Sequence, residues 1–143
     1  MTENFANLKS RLDDPEVQYV MSLSMFNPTP ESIARVVERC RNSENRELWG
    51  VVDDGHVLGA VQYYIREDNV LYIASIAVIE ARRGQGIGRG MINALQEKYG
   101  LTIELETDDD AVDFYRKCGF DAVSFEKTYG EDIVRRWTCT LGG

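Results

Sequence analysis

Nine consecutive residues, Arg82 to Gly90, read RRGQGIGRG and contain four glycines and three arginines. They separate two segments of different period. Before them, VLYIASIAV (residues 70–78) is almost continuously apolar, the pattern of a central strand covered on both faces. After them, GMINALQEKYG sets Met91, Ile92, Leu95 and Tyr99 at helical spacing, and Gly100 supplies a C-terminal stop. A buried strand that turns into a helix through a glycine run implies an α/β chain with its loop at the helix entrance.

The first N–H groups of a helix have no intrahelical partner, and the aligned peptide dipoles add about half a positive charge there. Gly84, Gly86 and Gly88 remove side chains from the path of an approaching anion, while Arg82, Arg83 and Arg89 add charge and donors. The loop therefore suits a pyrophosphate. It fits neither common nucleotide loop: there is no Gly-Lys-Ser or Gly-Lys-Thr ending, and Arg89 or Met91 falls where the last glycine of GxGxxG belongs.

The remaining segments extend the α/β pattern. A short strand is expected near Phe5 to Leu12. Asp14 with Pro15 and Thr29 with Pro30 each supply an N-cap and first helical residue, and Ile33, Val36, Val37 and Cys40 mark one apolar helical face. From Leu48, LWGVV, DDGH and VLGAVQYYI read as a hairpin around an Asp-Gly turn. LTIELET reads as a strand, AVDFYRKCGF as a short helix ending at Gly119, and DAVSFEKT with IVRRWTCTL as a final hairpin around YGED. One domain over residues 1–143 is expected, with a mixed sheet and a single strand-helix-strand crossover.

Composition removes several classes. A formal net charge of −8 opposes nucleic acid and would welcome a cationic substrate. Cys40, Cys118 and Cys139 form no CxxC pair, so buried free thiols are expected and a zinc site is not. The only histidine, His56, follows an Asp-Gly turn and reads as a surface residue, which leaves a His-dependent triad without support. The N-terminus lacks a signal-peptide pattern and no apolar run is long enough to span a bilayer, so a cytoplasmic protein without membrane association is expected.

IAVIEARRGQGIGRGMINAL resembles the acetyl-coenzyme A motif of the GNAT superfamily of N-acetyltransferases, whose R-x-x-G-x-G core is present as Arg83, Gly86 and Gly88. AVDFYRKCGF is similar to a second segment of that family, FYxKxGF, and the order of elements fits from about Asp13 to Leu141. The resemblance implies a mostly antiparallel mixed sheet with a central splayed parallel pair and flanking helices. It implies acetyl-CoA as co-substrate, with no metal. The amides of Gly84, Gln85, Gly86, Ile87, Gly88 and Arg89 would hold the pyrophosphate. Ile76, Ala77 and Val78 would face the pantetheine arm, and Val78 N–H is the candidate oxyanion donor. Tyr115 matches the tyrosine that faces the coenzyme sulfur and is the candidate general acid.

The resemblance is incomplete at two places. Where some family members carry a His or Glu base, this chain has Tyr72 and Ala74, so a water relay to Glu106 with help from Tyr72 is the expected substitute. Glu104 and Glu106 alternate with Ile103 and Leu105 and share one strand face. Asp108 replaces an asparagine that commonly contacts the coenzyme; it can cap the following helix but, ionised, donates no hydrogen bond. The run Asp108, Asp109 and Asp110 could instead draw a cationic amine. A direct N-acetyltransferase and a non-catalytic acyl-CoA sensor both remain open, as does an acyltransferase with another acyl group or a hydroxyl acceptor. The acceptor would be an amine-bearing small molecule or a peptide or protein. The exposed last strand could pair in a homodimer.

Overall fold

The computed structural model describes residues 3–143. The chain runs β1 (Glu3–Asn7), α1 (Pro15–Ser22), α2 (Pro30–Asn42), β2 (Glu47–Asp53), β3 (His56–Ile65) and β4 (Leu71–Val78). It continues through α3 (Ile87–Tyr99), β5 (Ile103–Thr107), α4 (Val112–Lys117), β6 (Asp121–Tyr129) and β7 (Asp132–Leu141). Local chemistry accounts for many boundaries. Asp14 accepts the Glu16 N–H at 2.8 Å and Pro15 opens α1. Thr29 and Ser32 cap α2 reciprocally, with bonds of 3.1 and 2.8 Å. Asp54 and Gly55, both at positive φ, close the β2–β3 hairpin.

The first strand is shorter than the sequence suggests. It ends at Asn7, and Leu8 donates to the Leu48 carbonyl before a 3₁₀ turn at Lys9–Arg11. Leu8 and Leu12 are both buried, so this turn delivers them to the core without strand alternation.

The sheet order is β1-β2-β3-β4-β5-β7-β6, which puts β4 in the middle. Among the described residues only β4 and β5 pair in parallel; the other neighbours are antiparallel. On one face, Met91, Ile92 and Leu95 of α3 and Val112 and Tyr115 of α4 pack with Val61, Tyr63, Ile73, Ile103 and Leu105. On the other, Val17 and Val20 of α1 and Val37 and Cys40 of α2 pack with Leu48, Val57 and Ala60. That second cluster stops at the end of β4. Beyond it, Glu104, Glu106 and Thr138 are half-buried and Val123 and Lys127 exposed.

The apolar segment 70–78 is central but not covered on both faces. Leu71 and Ile73 are buried, whereas Ala74 is exposed and Ser75 to Val78 are half-buried. The doubly covered strand is β3, buried continuously from Val57 to Tyr63. The second half of β4 keeps its apolar side chains for a cleft rather than for a packed neighbour.

Candidate functional site

Two features open that cleft. Parallel pairing of β4 with β5 is confined to Leu71↔Ile103 and Tyr72↔Glu104. Just beyond, the β3–β4 register slips from Gln62↔Ser75 to Tyr63↔Ile73, leaving Ala74 as an extra residue. Such a bulge bends its strand and increases the local twist, and here β4 parts from β5 at that point.

The ladder assigns the backbone groups left over. Ile79 N–H donates to the Leu58 carbonyl at 2.9 Å on the β3 side. Groups alternate along an antiparallel pair, so Ala77 also bonds toward β3 while Ile76 and Val78 present N–H and C=O toward the gap. Val78 C=O is partly engaged, accepting from Arg83 Nε at 3.1 Å.

The glycine loop meets the end of β4. Gly84 and Gly86 adopt φ of 76° and 84°, and a Cβ at either would meet nothing within 4 Å. It is backbone conformation, not space, that requires glycine at both. Gly86 is the N-cap of α3, and Gly90 N–H makes the first helical bond, to the Gly86 carbonyl at 2.9 Å. The helix thus starts earlier than its apolar pattern indicates. Ile87, Gly88 and Arg89 form its first turn, and their N–H groups are the ones a helix leaves unsatisfied.

Three residues of the loop have other duties. A Cβ at Gly88 would lie 3.1 Å from Phe114 Cζ, so Gly88 admits the α4 aromatic ring as well as any ligand. Arg89 Nη2 donates to the Lys117 carbonyl and ties the first turn of α3 to the end of α4. Arg82 Nε donates to Gln85 Oε1 at 2.7 Å, bracing the loop from within.

A cleft of about 580 Å³ runs between these parts. Ile76, Ala77, Val78, Ile87 and Phe114 supply apolar walls, and Arg82, Arg83 and Gly84 a cationic end, against one carboxylate, Asp110. Tyr115 closes the inner side, buried with its ring edge-on to Phe114 at 5.1 Å and Phe120 at 5.6 Å. Burial, with smaller contributions from Cys139, Cys118 and Asp108, pushes its phenol up to about 12. This combination fits a ligand with an anionic head and a narrow, largely apolar arm, as coenzyme A has.

On the open face of the sheet the carboxylates are engaged. Glu106 Oε1 accepts from Arg136 Nε at 3.0 Å and Lys127 Nζ at 3.2 Å. Partial burial raises the Glu106 carboxyl, but those two hydrogen bonds and charges outweigh it and hold it below the usual range. Glu104 accepts from Arg66 Nη1 at 2.7 Å. Tyr72 stacks obliquely on Tyr64 at 5.5 Å; burial first, then Glu106, Tyr64 and Glu104, raise its phenol.

The acidic run is partitioned in the same way. Asp108 Oδ1 accepts the Ala111 N–H at 2.9 Å and fixes the turn into α4. Asp109 is held by Arg135 and by Trp137 Nε1 at 2.7 Å. His56 is exposed beside Glu16, and burial raises the thiols of Cys40 and Cys139, while Cys118 is only half-buried. Among the described residues no group of three metal-ligating side chains gathers and no helix is long and apolar enough to cross a membrane.

Residues 15–120 match the model of the acetyltransferase (GNAT) family. The chain belongs to that family. The shared fold extends beyond the matched segment in solved structures. A GNAT-family protein from Desulfovibrio desulfuricans superposes with a TM-score of 0.79 at 18% identity, over 98% of each chain. An aminoglycoside 6'-N-acetyltransferase complexed with coenzyme A gives 0.78 at 18% identity over 95% of each. The ribosomal-protein-S18-alanine N-acetyltransferase from Escherichia coli gives 0.77 at 17% identity, over 97% of this chain and 92% of that one.

As a GNAT acetyltransferase, the chain brings Arg83, Gly84, Gly86, Ile87 and Gly88 of the expected loop, with Ile76 to Val78 and Tyr115, to one cleft, whereas Gln85 and Arg89 lie outside its lining. Tyr72, at the last β4–β5 rung, and Glu106, on β5 across the gap, lie instead on the open face, and Asp108 serves the α4 turn. Sequence reasoning missed Leu23, Asp110, Ala111 and Phe114 as cleft residues. Phe114 stands in the FYxKxGF-like segment and carried a signal; Leu23, at the end of α1, carried none.

Proposed function

We propose that this acetyltransferase moves an acetyl group from acetyl-CoA directly to a primary amine. The observation that carries the reading is the parting of β4 from β5 beside the αL glycines of the α3 entrance. One opening thus reaches both an anion cradle and the far face of the sheet. When bound, acetyl-CoA supplies an activated carbonyl. The amides of Gly84 to Arg89, with Arg83, hold its pyrophosphate, and Ile76, Ala77 and Val78 align its arm. Val78 N–H donates to the carbonyl oxygen as charge develops there, a fixed dipole needing no reorganisation.

Tyr115 donates its hydroxyl toward the departing sulfur. A thiol titrates near 8.5, well below a phenol at about 12. The role is therefore a strong hydrogen bond during cleavage rather than early proton release. The proton lost by the amine nitrogen balances the one the thiolate gains. Holding amine and thioester together is the largest contribution, worth roughly 7 to 11 kcal/mol in favourable cases.

Glu106 is a weak base because two cations share one of its oxygens. In this reading it positions Lys127 and Arg136, Tyr72 orients the amine as a neutral phenol, and the ammonium proton leaves through water on the open face. The expected result is that log kcat/KM rises with pH to the acceptor's own pKa, and that Glu106→Gln keeps this acid limb. Loss of the limb in that variant would return Glu106 to the role of base.

Direct transfer predicts that protein mixed with acetyl-CoA alone shows no acetyl adduct by intact mass, and that a variant with Cys40, Cys118 and Cys139 all replaced by serine or alanine still acetylates. A cysteine-borne adduct that an amine discharges would overturn it.

A further inference from the structure

The open face of the sheet carries its charge in an order that a net charge of −8 does not suggest. Directly paired residues share a face, so Tyr72, Glu104, Glu106, Thr138 and Arg136 lie on the same side, with Lys127 and Phe125 on the neighbouring strand. The two carboxylates nearest the gap are already neutralised. Arg66 bonds Glu104 at 2.7 Å, and Arg136 and Lys127 together bond a single oxygen of Glu106. Across β3, Arg46 lies over Tyr64 at 5.0 Å and bonds the neutral amide oxygen of Gln62 at 2.8 Å. Arg66 is shared between Asp68 and Glu104, whereas Arg136 and Lys127 converge on Glu106 alone; the other carboxylates of this face, Asp121 and Asp132, stand at the two ends of the β6–β7 hairpin.

At Glu106 the local balance is positive, because two cations, Arg136 and Lys127, share one carboxylate oxygen. Arg136 is only 24% exposed, and its contact to Glu106 uses Nε, which leaves the Nη1/Nη2 pair for a second anion. A planar pair of N–H donors matches a carboxylate in a two-point contact, and partial burial strengthens that contact. Glu106 lies on β5 two residues beyond the last β4–β5 rung, so a group bound over Glu106 sits at the border of the acetyl-transfer opening, where the two ends of a short amino acid can reach both.

We propose that the acceptor amine carries a carboxylate, bound by Arg136 and Lys127, and that polycationic amines are disfavoured on this face. The inference rests on the acetyl-transfer reading above. It narrows the acceptor to amino-acid-like molecules.

The test compares matched amines in thiol release with saturating acetyl-CoA: phenylalanine against phenylalaninamide and phenethylamine, β-alanine against ethylamine, and spermidine as the polycation. The acids are expected to exceed their carboxylate-free partners by about tenfold or more in kcat/KM, as befits hydrogen bonds to a charged group. Arg136→Gln is expected to raise KM for the acids about tenfold or more, leaving kcat and the KM for acetyl-CoA within about twofold, with Arg136→Lys recovering part of the loss. Thermal unfolding checks that each variant is folded. Preference for spermidine or the plain amines overturns the inference. So does an equal loss on acids and amines in Arg136→Gln, or a protein that binds acetyl-CoA but acetylates no acid. Failure to bind acetyl-CoA at all is a separate result, which removes the acetyl-transfer reading and the inference with it.

Discussion

Tyr115→Phe is expected to lower kcat by about 100-fold at neutral pH while leaving the affinity for acetyl-CoA within about twofold. The ring is buried between Phe114 and Phe120 in edge-on contacts, and phenylalanine reproduces that packing. What disappears is the hydroxyl of a residue that lines the cleft. Because burial holds the phenol at about 12, Tyr115 stays a donor across the working range. Once the amine is neutral, wild-type kcat should hold its plateau through pH 10. An alkaline fall below that point that vanishes in Tyr115→Phe would contradict the assigned environment. The same shift has a sign for stability: a phenol raised above its usual value near 10 favours the folded state less as pH climbs past 10. Alkaline destabilisation should therefore be smaller in the phenylalanine variant, as urea titrations at pH 8 and 11 would measure.

Gly50→Ala is expected to have the largest effect on stability, about 3 kcal/mol, the upper part of the range for overpacking a core. Gly50 lies in β2 opposite Ala60 and has no special φ. A Cβ there would overlap the Gly59 carbonyl oxygen and approach Leu8 Cδ1 to 2.5 Å. Leu8 has almost no room to yield, being 1% exposed at the start of the 3₁₀ turn. The Gly59 carbonyl belongs to the ladder of β3, so relief requires moving the strand that carries the core. Urea denaturation should show a lower midpoint with an unchanged slope. A loss below about 1 kcal/mol would mean that the turn at Leu8 shifts freely.

The two predictions differ in how far sequence could reach them. Tyr115 was legible because it stands in a short motif on a helix, next to the loop whose glycines announce a helix entrance. The caps at Asp14 and Thr29 were legible for the same reason: each satisfies its own helix within three residues. Gly50 carried no such signal, since its constraint comes from the Gly59 carbonyl on the paired strand and from Leu8, forty-two positions away in the chain. Glu106 shows the same limit. Its alternation placed it on the correct strand face, but Lys127 and Arg136, which make it a poor base, arrive from the last hairpin. Likewise the apolar run 70–78 correctly marked the middle strand. That its second half would face a cleft depends on the slip at Ala74, and nothing in an apolar run distinguishes a packed neighbour from a ligand's wall.

The central claim is that the α3 entrance holds the coenzyme, and calorimetric titration with acetyl-CoA tests it most directly. Wild type would be compared with a Gly86→Glu, Gly88→Glu double variant whose fold is checked by circular dichroism. One carboxylate would sit at the αL cap and the other against Phe114 on the cleft wall, both where an anion is expected. The account predicts binding by wild type and none by the folded variant. Equal binding by both proteins, or none by wild type to either acetyl-CoA or free CoA, would contradict it.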